Sequence, residues 1–349
     1  ATQALVNLAR HEGSRLQIVL EGAAGPLVGL CEKCQDNAVL GYTCGALANL
    51  ALNEDSVPQI VEEGAVPPLV ALICGSTDSV VLRNAAGALA NLARHEASRA
   101  QIVQAKAVRP LVELCSESED TTVLRNGARA LANLALYEGT APQIMPDGVV
   151  WCGGVGVLVE LCTNEEDARV LGYAAGALAN LALDDGSRQH LFQRGALQPL
   201  IQLCSRSQDT TVLGNTAQAL RILARHEGSR PLLVQKGAVL ALMQLCNKSN
   251  DTRVLGNAAA ALANLALHEP SKPQIVQDGA VRPLGQLCLR STDNTVLGNA
   301  AAALRNLARH KGSRQRIVME GAVQPLVELC STSKDNRVLG YAAETLLNL

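Results

Sequence analysis

The chain has very few aromatic residues: one tryptophan, one phenylalanine and four tyrosines, 2% of its 349 positions. Single-strand nucleic-acid binders stack bases on rings, so this scarcity counts against that class. Charge of one sign is lacking too. With 30 basic and 32 acidic residues the net charge is −2, which supplies no overall basic field to draw polyanions or membrane surfaces. No apolar run approaches the roughly 20 residues of a membrane span, so direct insertion into a bilayer is not expected, and no signal peptide is visible. Cys31-Glu-Lys-Cys34 is half of a zinc pattern without a second pair at a workable spacing. No Ser-His-Asp set or phosphate loop occurs in an appropriate context. The expectation is no metal, no cofactor and no enzyme activity.

What is abundant is repetition. Asn7, Asn49, Asn91, Asn133, Asn180, Asn264, Asn306 and Asn348 each sit in a near-copy of Ala-Leu-Ala-Asn-Leu-Ala, with isoleucine at the rung expected at 222. The step is 42 residues, except for 47 between Asn133 and Asn180. A period of this length marks a solenoid, whose units bury their apolar faces only against neighbours. The expected organisation is a single domain over 1–349, with a partial N-terminal helix at 1–12 and eight units starting near 13, 55, 97, 139, 186, 228, 270 and 312. The five extra residues, Trp151-Cys152-Gly153-Gly154-Val155, fall between the first and second helices of their unit and are expected as a surface loop, with a partner-anchoring loop as the alternative.

Each unit predicts three helices. The first opens at a recurring hydroxyl (Ser14, Ser56, Ser98, Thr140, Ser187, Ser229, Ser271, Ser313), expected as an N-cap. Glutamine follows three residues later in five units (Gln17, Gln59, Gln101, Gln143, Gln274), as in a capping box. The helix ends at a glycine suited to a left-handed C-cap (Gly22, Gly64, Gly148, Gly195, Gly237, Gly279, Gly321), with Lys106 as the exception. A second, apolar helix starts near proline and carries Cys31, Cys115, Cys162, Cys204, Cys246, Cys288 or Cys330, with Ile73 in the same slot. These are core thiols: equivalent helices stack roughly 8–10 Å apart, too far to close a disulfide. They suit a reducing compartment, cytoplasm or nucleus. The third helix opens at an aspartate (Asp36, Asp78, Asp120, Asp167, Asp209, Asp251, Asp293, Asp335), a cap that also complements the helix dipole. Histidines at its far end (His11, His95, His226, His268, His310) are expected to favour the helix C-terminus.

A helical wheel at about 100° per residue gives the third helix one apolar arc and one face bearing the ladder asparagine. That face has a small residue four positions earlier and Asn or Tyr seven earlier, as at Tyr42, Asn84, Asn126 and Tyr173. The succession of short capped helix, Gly-Ala-Val-x-Pro-Leu-Val-x-Leu and long helix closing on Ala-Leu-x-Asn-Leu-Ala resembles the armadillo repeat over the whole chain. The resemblance implies an all-α, right-handed superhelical solenoid whose third helices line a concave groove. It also implies that Asn49, Asn91, Asn133, Asn180, Asn264 and Asn306 clamp the backbone of an extended peptide, where an amide offers both donor and acceptor. The alternative is that these asparagines bond neighbouring turns of the solenoid.

The importin-alpha branch carries tryptophan four residues before the asparagine. Here those positions are Gly45, Gly87, Arg129, Gly176, Gln218, Ala260, Ala302 and Glu344. With Asn84, Asn126, Arg83, Arg125 and Arg129 on the same arc against the lone acid Glu344, the groove is more similar to that of catenin-like or adaptor-type scaffolds. The expected partner is a protein or extended peptide of neutral or acidic character. Basic nuclear-localisation peptides, or an architectural role with self-association through uncapped ends, are the alternatives.

Overall fold

The structure is a computed structural model that describes residues 2–137 and 149–349, with backbone only for 149–153. Thr140, Gln143 and Gly148 of the sequence reading lie outside the described residues. Every regular element among the described residues is helical. The Cα packing divides the chain into two compact units, Ala1–His190 and Leu191–Leu349.

In the first unit the third helices are Thr2–Ala9, Asn37–Leu50, Ser79–Leu92, Thr121–Leu134 and Ala168–Leu181, each packed on the next. In the second they are Thr210–Arg225, Thr252–Leu265, Asn294–Ala308 and Asn336–Asn348, again in one layer. Second helices form another layer within each unit: Ala24–Lys33, Val66–Gly75, Val108–Glu117 and Val149–Asn164, then Leu197–Arg206, Ala238–Lys248, Val281–Arg290 and Val323–Thr332. Alanines and leucines of the two layers close the core. Leu47, Leu89 and Leu131 in one unit and Leu262 and Leu304 in the other are at most 1% exposed. Both units are α-solenoid stacks.

Every aspartate cap forms as expected, each accepting a backbone N–H from the first turn. The left-handed C-caps form too, at Gly22, Gly64, Gly195, Gly237, Gly279 and Gly321, with φ from 71° to 88°. Lys106 takes the same conformation at φ 58°, so the backbone geometry persists where its preferred residue is absent. Six of the seven core cysteines are buried, and Cys330 is exposed. Burial pushes the Cys115, Cys204, Cys246 and Cys288 thiols up to about 12, which keeps them protonated and inert.

Four local expectations are corrected. The hydroxyls are not N-caps: Ser56, Ser229, Ser271 and Ser313 make no capping bond. They are buried, and each pairs back with the residue three before it. Those partners are Asn53 Oδ1 at 3.0 Å and the Nδ1 atoms of His226, His268 and His310 at 3.2, 2.7 and 2.9 Å. The histidines therefore brace the turn into the next helix, and they do not serve the end of the preceding one. That end is met by arginines following the serine. Arg15, Arg99, Arg230 and Arg314 donate through Nε, and Arg188 through Nη1, to the carbonyls of Ala9, Ala93, Ala224, Ala308 and Ala182 at 2.9–3.1 Å. Gln17 and Gln274 reach forward to Glu21 and Asp278, so no capping box forms there. Finally, Trp151–Val155 is not a loop. Its backbone lies inside the 16-residue helix Val149–Asn164, longer by several residues than the 10-residue second helix Val108–Glu117.

No single described helix is long and apolar enough to cross a membrane. One bent pair, Glu54–Glu62 with Val66–Gly75, has the length and composition, but Val57, Ile60, Val66 and Leu69 of that pair are buried in the stack. Leu8 and Leu347 are 52% and 86% exposed.

Candidate functional site

The ladder asparagines are first of all a ladder between helices. Asn49 Nδ2 donates to Val6 O at 3.3 Å, Asn91 to Ala48 O at 2.6 Å, Asn133 to Ala90 O at 2.9 Å and Asn180 to Ala132 O at 3.0 Å. In the second unit Asn264 donates to Arg221 O at 3.3 Å and Asn306 to Ala263 O at 2.9 Å. The acceptor is in each case a carbonyl of the preceding third helix. A second row repeats the device one turn pair earlier: Asn84 to Gly41 O at 2.8 Å, Asn126 to Arg83 O at 2.8 Å and Asn299 to Gly256 O at 3.0 Å. A mid-helix asparagine is unfavourable by propensity, and these bonds give the physical reason it is kept.

Glycine makes the second row fit. A Cβ at Gly45 would stand 3.2 Å from Asn84 Nδ2, and one at Gly87 3.1 Å from Asn126 Nδ2. The small residue four positions before each of these rungs is thus the slot for the next repeat's amide.

One Nδ2 hydrogen and Oδ1 remain on each rung. Asn91 and Asn306 are 4% and 3% exposed, and their oxygens are taken by Arg129 Nη2 at 2.9 Å and Arg305 Nη2 at 3.0 Å. Asn49, Asn133, Asn180 and Asn264 are partly exposed. They keep an oxygen free for an outside N–H.

Arg83, Arg125 and Arg129 share this face in the first unit and form no ion pair with any described acid. Arg129 is the most enclosed. Its Nη2 bridges to Asn91 and to Gly87 O at 3.4 Å, and its Nε is buried without a partner. Burial holds its guanidinium below the ordinary arginine range; Tyr173 opposes this, while the like charges of Arg94 and Arg125 add to it.

In the second unit two of the arginines, Arg305 and Arg309, are answered. Glu344 Oε1 accepts from Arg309 at 2.7 Å and its Oε2 lies 3.6 Å from Arg305. The Arg305 guanidinium also lies 4.3 Å from the Tyr341 ring centre. Arg221, beside the missing rung, pairs with no described acid, and neither do Arg225 and Arg253. Ile222 is 3% exposed, and Arg221 borders a depression of about 500 Å³ with Arg253, Asn257, Ala260 and Asn299. Burial, with Arg225 adding, lowers the Arg221 pKa as well.

The structure therefore brings Asn84, Asn91, Asn126, Asn133, Arg83, Arg125 and Arg129 onto one face of the first unit, with Asn49 and Asn180 as rungs of the same ladder. Asn264 and Asn306 belong to the equivalent face of the second. Sequence reasoning missed the arginine that closes over a rung oxygen and the arginines that cap helix ends. The second had a signal: Ser-Arg recurs at 14–15, 98–99, 187–188, 229–230 and 313–314. No three His, Cys, Asp or Glu among the described residues are grouped to hold a metal ion.

The profile of the Armadillo/beta-catenin-like repeat matches residues 53–94, 95–136, 148–183, 184–225, 226–267, 268–309 and 310–349. Two crystal structures of engineered proteins from the Northeast Structural Genomics Consortium are similar. One is 35% identical with a TM-score of 0.89, covering 99% of this chain and 83% of the other. The second is 32% identical with a TM-score of 0.63, covering 69% and 98%. No curated protein sequence matches.

Proposed function

Because this chain belongs to the armadillo-repeat family, whose members are generally protein-interaction scaffolds and typically not enzymes, we propose that it holds an extended acidic peptide against the exposed face of the third helices. The supporting observation is the first unit's face, where free asparagine oxygens lie beside arginines that no described carboxylate neutralises. Asn49, Asn133 and Asn180 would accept from peptide N–H groups while staying anchored through Nδ2. Rungs that are already tied to the scaffold lose little side-chain entropy when they meet a ligand. Arg83, Arg125 and Arg129 would supply selectivity, since complementary charge discriminates between partners more than it adds affinity. The buried thiols support a reducing compartment, cytoplasm or nucleus, as the place of action.

The test is a fluorescence-anisotropy titration of the protein with matched acidic, neutral and lysine-rich extended peptides at low and high salt. Acidic peptides should bind most tightly, and the preference should shrink as salt screens it. Preference for the lysine-rich set would overturn the reading in favour of an importin-alpha-like ligand.

A further inference from the structure

Arg129 poses a physical problem that the peptide reading alone leaves open. A guanidinium drawn out of water is costly unless a counter-charge comes with it, and none of the described acids pairs with this one. Its contacts are all neutral: Asn91 Oδ1, Gly87 O and the Tyr173 side chain. Nη2 is spent on Asn91 and Gly87 and Nε is sealed away, so a ligand would meet this guanidinium through its remaining N–H groups. Two further arginines flank it. Arg125 stands four residues earlier on the same helix, where side chains at this spacing are neighbours. Arg94 follows the helix Ser79–Leu92, three residues beyond the asparagine that holds Arg129. Arg94 is exposed and Arg125 partly so, so both are open to a ligand.

We infer that Arg129, Arg125 and Arg94 form a subsite for a phosphate monoester carried on the bound peptide. Three neighbouring guanidiniums exceed what a single carboxylate can use, because a carboxylate is filled by one bidentate arginine. A phosphorylated side chain brings close to two negative charges and three acceptor oxygens, enough to engage all three cations and to supply the missing counter-charge. The subsite rests on the peptide-binding reading above. A nucleic-acid phosphate is disfavoured because the cluster is local and the chain as a whole carries a net charge of −2.

The experiment uses three pools of degenerate 11-residue peptides that differ only at a central fixed position, phosphoserine, glutamate or serine, and a 20-nucleotide single strand as a further probe. For the unaltered chain the phosphoserine pool should bind at least about ten-fold more tightly than the serine pool, with glutamate between. In Arg129→Gln that ratio should fall to about two-fold or less. Arg129→Lys should recover only part of it, because an ammonium lacks the planar fork. Arg94→Ala with Arg125→Ala, both away from the buried bond to Asn91, carries the test should Arg129→Gln fold poorly. Arg282→Ala, on an exposed second-helix position, should leave the ratio intact. Equal binding of all three pools, an equal loss with Arg282→Ala, or tighter binding of the oligonucleotide overturns the subsite. Binding of the glutamate pool without any gain from phosphate would overturn the subsite and leave the acidic-peptide reading standing. Failure of every pool removes both.

Discussion

In the unit from Ala1 to His190, Arg129 is held by Asn91 and meets no described carboxylate; in the unit from Leu191 to Leu349, Arg305 and Arg309 share Glu344. Arg129 and Glu344 occupy the same register, four residues before the rungs Asn133 and Asn348. One helical position thus decides the charge of the face: arginine there adds an unanswered cation, and glutamate silences two. The scaffold around it is constant. Aspartate caps and rung bonds recur in both units, while this position changes from glycine at 45 and 87, where the next repeat's asparagine needs the room, to arginine at 129 and glutamate at 344.

The largest effect should come from the shared core. Leu131→Ala and Leu262→Ala each empty a site that is at most 1% exposed, and each should cost about 2–5 kcal/mol in urea denaturation. Hydrogen exchange should speed up in the third helices of the altered unit. Equal acceleration in both units would break the two-unit description. Next come the rungs. Asn133→Ala removes a 2.9 Å bond and Asn264→Ala a 3.3 Å bond, so the first should lose about 1–2 kcal/mol and the second less. Thermal melts and peptide titration on the same protein separate the two duties of Asn133. A binding loss with no change in melting would mean the interhelical bond adds no stability.

A charge exchange sharpens the comparison further. Glu344→Arg should raise affinity for acidic peptides and Arg129→Glu should lower it, each by roughly three- to ten-fold at low salt. Both effects should shrink in parallel as salt rises. Stability should respond to Glu344→Gln by less than about 1 kcal/mol, since the pair is largely solvated. Arg309, through its hydrogen bond, holds the Glu344 carboxyl below the usual carboxylate range. Its small contribution is therefore present above the unfolded pKa and fades as pH falls through the folded one.

The smallest expected effect is a pH slope at His95. Burial holds this imidazole below its ordinary value of 6.5; Glu54 and the Ala51 carbonyl oppose that, while Arg94 and Arg99 reinforce it. Its Nε2 is buried without a partner. The unfolded chain therefore binds more protons between the folded pKa and about 6.5, and stability rises with pH across that window. Melting temperatures from pH 5 to 8 should show a shallower slope in His95→Gln than in the unaltered chain. Identical slopes would remove His95 from the account.

The fold was legible because each signal was local and repeated. An aspartate before an apolar helix and a glycine after a short one state helix boundaries without reference to anything distant, and they held wherever the structure describes them. The hydroxyl and glutamine signals misled because the same residues have a second local use: a serine three residues after a histidine bonds that ring more readily than the next turn. The insertion misled because five residues between helices suggest a loop, whereas Trp151–Val155 can also lengthen the helix that follows. Of the site, the sequence put the asparagines and arginines on one arc of the third helix, and the asparagine bonds to the preceding helix follow that arc. It left open whether the asparagines served the scaffold or a ligand, because hydrogen-bond direction depends on how closely neighbouring helices approach.

Period, the aspartate and glycine caps and the two-faced third helix were thus determined by the sequence alone, since each depends on residues within a few turns of one another. Only the tertiary structure decided which rung oxygens are spent and which are free. It alone showed that glycines at 45 and 87 are slots for the next repeat's amide, and that Arg129 lacks a described acidic partner where Arg305 has one. These facts depend on pairs about 40 residues apart, brought together by stacking, and no local pattern records which of two hydrogen bonds a side chain makes once its neighbour arrives.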